Sequence, residues 1–377
     1  MLTQVGAGTG GEGVHGTDSD LAAYGSRAEH RAMRTCLIIG AGVAGLVAAR
    51  RVQESGWRAL VIDKGRHPGG RLATRSVGGL ACDHGAQFLS VRDPRFATLV
   101  EGWEQAGQVR RWCDGFPVLT AGGVVAADGH PRWCAPGGFR TLGVVLAEGL
   151  EVRSFTTVTR LDPAPEGGWT VVLVPGDTVR GESTGPEERV NAEAIICTLP
   201  GPQAAALLMA SGLPVPEALT RIAYQPCHAL LMAWPHAMEA ILPAPGGVRI
   251  EDPSLPLGWM ASQRAKGVTT TGEVLVVHAT GGWSAKAEAV DPALLLPPLR
   301  DAARAALTRL GVRWPALPEV EVLHRWKYSL PIRTETEEFL RLPTPSPFLL
   351  AGDGFGDRPR IEGAALSGLA AAEALAT

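Results

Sequence analysis

The sequence holds no Cys-x-x-Cys pair: its six cysteines (Cys36, Cys82, Cys113, Cys134, Cys197 and Cys227) lie far apart. That spacing removes the dithiol of a disulfide reductase and any zinc-ribbon ligand set, leaving buried, reduced thiols as the reading. No apolar run approaches the roughly 20 residues needed to cross a bilayer, so no membrane span is expected. Nor is there an excess of either charge. A net charge of -3 offers no electrostatic footprint for nucleic acid or an anionic membrane. Residues 1–32 lack the apolar centre of a secretory signal and are rich in Gly, Thr, Asp and Ser. They are expected to be a disordered leader, or an over-extended translation start ahead of Met33, on a soluble cytoplasmic chain.

What is present is a 377-residue chain, 45% hydrophobic and 19% charged, long enough for about two structural domains. Thr35–Ile39 (TCLII) is a short β-preferring apolar run that reads as a buried parallel strand. Val43–Glu54 has helical spacing, with Ala44, Val47, Ala48 and Val52 on its inner face and Ser55-Gly56 as its stop. Ala59–Ile62 is a second buried strand, closing a βαβ unit. Further along, a strand is expected into Asp83 and a helix over 94–106. An antiparallel ribbon is expected from Glu151–Leu161 and Trp169–Val174, then an exposed loop over 175–189 and a buried strand at Ala192–Leu199. The middle alternates strands (Ala229–Trp234, Leu257–Ser262, Glu273–Thr280) with a helix at Pro292–Leu310. Phe348–Ala351 and Glu362–Leu375 read as a last strand and a small-residue helix. No repeat of solenoid or propeller period occurs.

Gly40-Ala41-Gly42-Val43-Ala44-Gly45 is G-x-G-x-x-G between that first strand and helix, and about 20 residues later Asp63 ends the second strand. Gly40 permits the tight turn, Gly42 lets backbone approach a pyrophosphate, and Gly45 lets helix and strand pack closely. The helix start supplies free N–H groups and partial positive charge to phosphates, and Asp63 would accept from ribose hydroxyls. The fingerprint alone does not separate FAD from NAD. His67-Pro68-Gly69-Gly70-Arg71-Leu72 would bring backbone and a guanidinium to the second phosphate or a ribityl chain. Gly352-Asp353, ending the last strand, would offer a carboxylate to ribityl hydroxyls, with the helix start at Gly363-Ala364 facing a flavin pyrimidine edge. A single-domain nicotinamide dehydrogenase needs neither element, so the expected cofactor is FAD. No second fingerprint exists: Gly352–Gly356 lacks the following βαβ spacing and acid, so a dedicated NADPH domain is not expected.

These motifs resemble the amine oxidase-like FAD oxidoreductases, and within them the renalase-like group. Asp83-His84-Gly85-Ala86-Gln87-Phe88 followed by Arg92-Asp93-Pro94-Arg95-Phe96 is similar to that group's D-x-G-A-Q-[FY]…R-D-x-R-F segment. Residues 360–368 resemble its flavin-binding close. Weaker blocks lie at 226–230, 259–261, 278–284 and 324–328. Ser262–Lys266 departs from the group's A-R-N-x-x-K run, matching only its lysine. The resemblance implies an α/β, p-hydroxybenzoate hydroxylase-like architecture. A Rossmann-type FAD-binding domain would be assembled from 33–95, 146–212 and 321–377, with a mixed sheet-and-helix substrate domain from 96–145 and 213–320. The expected cofactor contacts are Gly40, Ala41, Gly42, Val43, Ala44, Gly45, Asp63, Lys64, Gly70, Arg71, Leu72, Gln87, Phe88, Val158, Gly352, Asp353, Gly363 and Ala364. Val158 enters by analogy, through its backbone to adenine, with a plain core valine as the alternative.

A flavin oxidase chiefly needs a substrate C–H held over flavin N5, so no acid–base signature names a catalytic residue. Gln87, with an amide that could meet the flavin ring, and Arg360, Trp326 and Tyr328 are the candidates. Trp326 and Tyr328 share a strand face and either cover the isoalloxazine or fill the core. His84, His228, His278 and His324 are further candidates for that face, each with a structural role as the alternative. Arg360 stands where amine oxidases carry an aromatic cage residue. There it would repel an amine and attract an anion, unless it faces solvent or pairs with Glu362 or Asp357. Together these features imply a small-molecule substrate, renalase-like oxidation of an isomeric dihydronicotinamide dinucleotide, and O2 as acceptor with H2O2 released. An amine oxidase, a desaturase-like dehydrogenase and a non-catalytic flavin-binding protein are the alternatives.

Overall fold

The computed structural model describes residues 33–376, so the leader expected over 1–32 lies outside the described residues. One layer is a six-stranded sheet in the order Leu340–Arg341, Phe348–Leu350, Ala194–Cys197, Thr35–Ile39, Arg58–Ile62 and Glu151–Arg153. All neighbours are parallel except the Leu340–Arg341 edge. Thr35–Ile39 is buried along its whole length because both faces of the sheet are covered. One cover is the helix Val43–Glu54, itself wedged beneath the C-terminal helix Ile361–Ala376. Gly368 makes that crossing possible, since a side chain there would overlap the Ala44 carbonyl. Squeezed from two sides, the first helix buries Val43 through Ala49 and Val52, more than the single inner face read from its spacing.

The other cover is an antiparallel sheet built on Thr156–Pro163, Trp169–Asp177 and Glu188–Ala192. It differs from the expected ribbon in two ways. Glu151–Arg153 belongs to the parallel sheet, and the chain breaks at Ser154-Phe155, where Phe155 takes φ 51° and redirects the backbone. The loop expected over 175–189 is exposed at 180–184 but also carries strand: Trp169 continues to Asp177, and Glu188 begins the next strand.

A second, seven-stranded sheet runs Val320–Arg333, Ala223–Trp234, Glu273–Ala279, Leu257–Ser262, Gly247–Ile250, Val118–Thr120 and Gly123–Val125. Residues of Ala223–Trp234 alternate between two cores. Leu230 and Met232 meet the helix Pro292–Arg309 through Leu299, Ala303 and Leu307. Ala229, Leu231 and Ala233 meet the hairpin Thr74–Val77/Leu80–Asp83 through Val77, Leu80 and Cys82. Phe96, Val100, Trp103, Phe139 and Leu142 turn into the core of the parallel sheet, leaving 118–125 to the second sheet, whereas Val320–Arg333 is that sheet's edge.

Candidate functional site

The first strand ends at Gly40, whose φ of 108° belongs to glycine and whose hypothetical Cβ would stand 2.7 Å from Thr198 Oγ1. A side chain at Gly45 would overlap the Gly40 carbonyl, so helix and turn touch there without any. Gly42 is different: its Cβ would meet nothing within 4 Å, so the space beside it is open. As N-cap it offers no side-chain acceptor, and the first helical turn, with Val43 and Ala44 buried, holds no acidic residue. Open space, unbonded N–H groups and a positive helix end are what a pyrophosphate requires. Asp63 braces the turn, accepting from Ala41 N and Gly65 N at 2.6 Å each. Burial holds its carboxyl above the usual carboxylate range, against those hydrogen bonds and the charge of Lys64. A carboxylate has about four lone-pair sites, so two remain for ribose hydroxyls.

The second glycine pair crosses the first. Gly69 N donates to Ala41 O at 2.7 Å, and a Cβ on Gly70 (φ 55°) would lie 3.3 Å from Gly42 Cα. Leu72 is buried behind it. Arg71 and Asp353, expected to contact the ligand separately, hold each other: Nη1–Oδ2 is 2.5 Å and Nη2–Oδ1 2.8 Å, across 282 positions. Tyr224 Oη adds a third hydrogen bond to Asp353 at 3.1 Å, and Arg71 also binds Ser329 O. Arg71 therefore places Asp353, which keeps lone pairs for a ribityl chain. Gly352 (φ 133°) is fixed by Ser367 Oγ, and Gly363 fits only because a side chain there would overlap Arg358 O. Ala364 N is spent on Arg360 O, so the free N–H groups of this helix belong to residues 361–363. Val158 fills the core with Leu37, Leu60 and Ile62, at a β-bulge that disturbs its strand's pairing.

The amide of Gln87, expected toward the flavin, is engaged within its own loop. Its Nε2 donates to Asp83 O at 2.6 Å and Gly85 O at 3.2 Å, and its Oε1 accepts from Gln263 at 3.4 Å. That network is anchored by a pair the sequence left unassigned: Lys266 Nζ lies 2.6 Å from Asp83 Oδ2, and neither side chain is exposed. Asp83 also accepts from Thr74 Oγ1 and Phe139 N, and its own N–H binds Gln263. The retained lysine of the 262–266 run was the available signal. Phe88 sits half-buried against Phe116 and Trp259 at 5.1 and 5.4 Å between ring centres.

Trp326 stacks on His84 at 5.3 Å and donates to His84 O at 2.8 Å, filling the space between sheet and hairpin. Tyr328 instead meets Tyr224, the partner of Asp353. His84 and His324 touch at 4.7 Å, with His278 beside them, whereas His228 lies apart against Trp283. Burial, reinforced by cations and, for His84 and His278, by a neighbouring imidazole, lowers His84 to about 3 and His278 and His324 to about 4, so all three are neutral at neutral pH. Burial also pushes the Cys82, Cys197 and Cys227 thiols up to about 12.

Arg360 is solvent-exposed, holds φ 89°, and makes no ion pair or side-chain hydrogen bond among the described residues. Its two expected partners are engaged elsewhere. Glu362 accepts from Arg92 N and Asp93 N at 2.8 and 2.6 Å, and Arg358 lies 3.7 Å from both Glu362 and Asp357. Surrounding protein, then the charges of Arg249, Arg132 and Arg92, hold its guanidinium below the ordinary arginine range. Among the described residues no cluster could hold a metal ion, and no helix is long and apolar enough to cross a membrane.

The NAD(P)-binding Rossmann-like domain model matches residues 38–103, and the flavin containing amine oxidoreductase model matches 118–376, more than half the chain. A lysine-specific histone demethylase 1 homolog of Arabidopsis thaliana is 49% identical over 43 residues, 11% of this chain and 5% of that protein. A 1-hydroxycarotenoid 3,4-desaturase of Flavobacterium sp. is 36% identical over 59 residues, 16% of this chain and 12% of the relative. A phytoene desaturase of Rhodobacter capsulatus is 36% identical over 76 residues, 20% and 14% of the two chains. The chain thus spans a small fraction of these relatives' lengths. A crystal structure from Exiguobacterium sp. 255-15, provisionally described as a protoporphyrinogen oxidase, superposes with TM-score 0.65 at 13% identity, covering 91% of this chain and 98% of that one, a likeness of fold. With a phosphate-ready glycine turn in its first βαβ unit and the family match over the rest, this chain belongs to the flavin-containing amine oxidoreductases.

Proposed function

We propose that the enzyme oxidises an anionic small molecule, in renalase-like fashion an isomeric dihydronicotinamide dinucleotide, with O2 as the final acceptor. The observation that carries this reading is Arg360, a cation without a carboxylate partner where amine oxidases present an aromatic cage. An unpaired guanidinium attracts a phosphate or carboxylate and repels an ammonium. When bound, FAD would supply a two-electron acceptor: the substrate ring would give up a hydride and leave as its aromatic pyridinium, and O2 would take up that hydride's two electrons and proton, with one further proton from solvent, as H2O2. The cofactor would be held by the open backbone at Gly42, the carboxylate of Asp63, Gly70, and Asp353 as placed by Arg71. Three neutral imidazoles, of which His84 is buried, add no positive charge behind the Asp83–Phe88 loop, and the Lys266–Asp83 pair fixes that loop.

A second reading, desaturase-like dehydrogenation of an apolar substrate, is favoured by the aligned segments of the two carotenoid desaturases. Aerobic turnover separates them. H2O2 should appear with isomeric dihydronicotinamide dinucleotides and not with benzylamine, spermine or a polyene. Turnover confined to amines or polyenes removes the first reading.

A further inference from the structure

The strand pairing that sets Arg249 opposite Trp259 also sets an aromatic cluster beneath it. Phe116 lies 4.7 Å from Trp259 and 4.8 Å from Trp112, and Phe88 completes the group. Phe116 and Trp259 are buried, whereas Phe88 and Trp112 keep part of their rings at the surface. The backbone bridge between Leu89 and Trp133 brings Arg132 alongside, with its guanidinium 5.6 Å from the Phe88 ring centre. Two donors in this cluster are buried and have no acceptor: Trp259 Nε1, on a side chain only 7% exposed, and Arg132 Nε. Cations crowd the same place. Arg132 and Arg249 are partly answered by Asp128 and Glu251, but Arg360 and Arg92 have no acidic partner among the described residues. Arg92 is held beside Arg360 because its N–H binds Glu362, at the start of the C-terminal helix.

We propose that this cluster is a subsite for an oxyanion carried on a flat ring, either a ring carboxylate or the phosphate of a ring nucleotide. The ring would lie against Phe88 and Trp112. Its oxyanion would be received by Trp259 N–H and Arg132, within the positive field of Arg360 and Arg92. A buried donor left without an acceptor costs about 1–3 kcal/mol, which a ligand oxygen relieves and an ammonium cannot. A hydrocarbon would leave both donors unanswered. The inference rests on the anionic-substrate reading above and names the residues that select for it.

The test is a binding titration of the FAD-loaded full chain, read by tryptophan quenching and by the visible spectrum of the flavin. The probes are nicotinate, its neutral isostere nicotinamide, and inorganic phosphate. Nicotinate should bind at least about tenfold more tightly than nicotinamide or phosphate, as expected for a hydrogen-bonded charge on a stacked ring. Trp259→Phe, which removes only the indole N–H from an aromatic ring, and Arg360→Gln should each weaken nicotinate by about tenfold and leave nicotinamide within about twofold. Equal binding of nicotinate and nicotinamide, or equal loss of both in the variants, overturns the subsite. Charge-selective nicotinate binding without turnover of dihydronicotinamide dinucleotides would retain the subsite and remove the proposed substrate. Turnover with charge-blind binding would do the reverse.

Discussion

Gly42→Ala and Gly45→Ala should fail in opposite ways, although both remove a glycine from the same fingerprint. At Gly42 the backbone has φ -75°, which alanine adopts freely, and a methyl group would meet nothing within 4 Å. Replacement there should leave the apo protein as stable as the wild type, or about 0.4–1 kcal/mol more stable through reduced freedom of the unfolded chain. The new methyl would instead occupy the space a pyrophosphate needs. Losing one or two charge-assisted hydrogen bonds at about 1.5–3 kcal/mol each should weaken FAD by roughly ten- to ten-thousandfold. At Gly45 the methyl would overlap the Gly40 carbonyl, so helix and turn must separate. That overpacking costs about 1–3 kcal/mol in the apo protein before any ligand is added. Apo thermal unfolding and FAD titration by flavin fluorescence together read both variants. Wild-type FAD affinity in Gly42→Ala, or equal apo destabilisation in the two, would refute the assignment of the open space to the phosphates.

Lys266→Met should destabilise the protein by about 3–5 kcal/mol, because it leaves Asp83 charged and buried, and Asp83→Asn in the same chain should recover part of that loss in chemical denaturation. Asp353→Asn keeps shape but removes the charge that holds Arg71, so the apo melting temperature should fall and FAD affinity, measured by titration below that temperature, should drop about tenfold. His84, His278 and His324 have folded-state pKa values of about 3, 4 and 4, below the ordinary imidazole value of 6.5. The unfolded chain therefore binds more protons between those limits. Stability should be full above about pH 6.5 and fall as the pH drops toward 4, by on the order of 1–2 kcal/mol per histidine at pH 5. Melting curves across that range check it, and a flat profile down to pH 4 would contradict the buried cluster.

The first βαβ unit was legible nearly to the residue because apolar runs, glycines and the acid at the strand end agree on one answer. What escaped was non-local or locally strained. The break at Phe155 uses a left-handed backbone on a residue that rarely takes it, so sequence joined Glu151 to the wrong sheet. Arg71 and Asp353 both carry the chemistry expected of ligand contacts, and their pairing across 282 positions leaves no mark on local pattern. Lys266 and Asp83 lie 183 positions apart, and only the fold shows them buried together. Gln87 stands out in its motif, and the hydrogen bonds of its amide to its own loop leave no mark on that motif.

Anaerobic mixing of the FAD-loaded enzyme with substrate tests the central claim most directly, since bleaching of the flavin reports cofactor and electron donor in one trace. Isomeric dihydronicotinamide dinucleotides should bleach it, and Arg360→Glu should slow that bleaching at least about tenfold through charge reversal. Bleaching by amines alone, or at an unchanged rate in Arg360→Glu, would contradict the account.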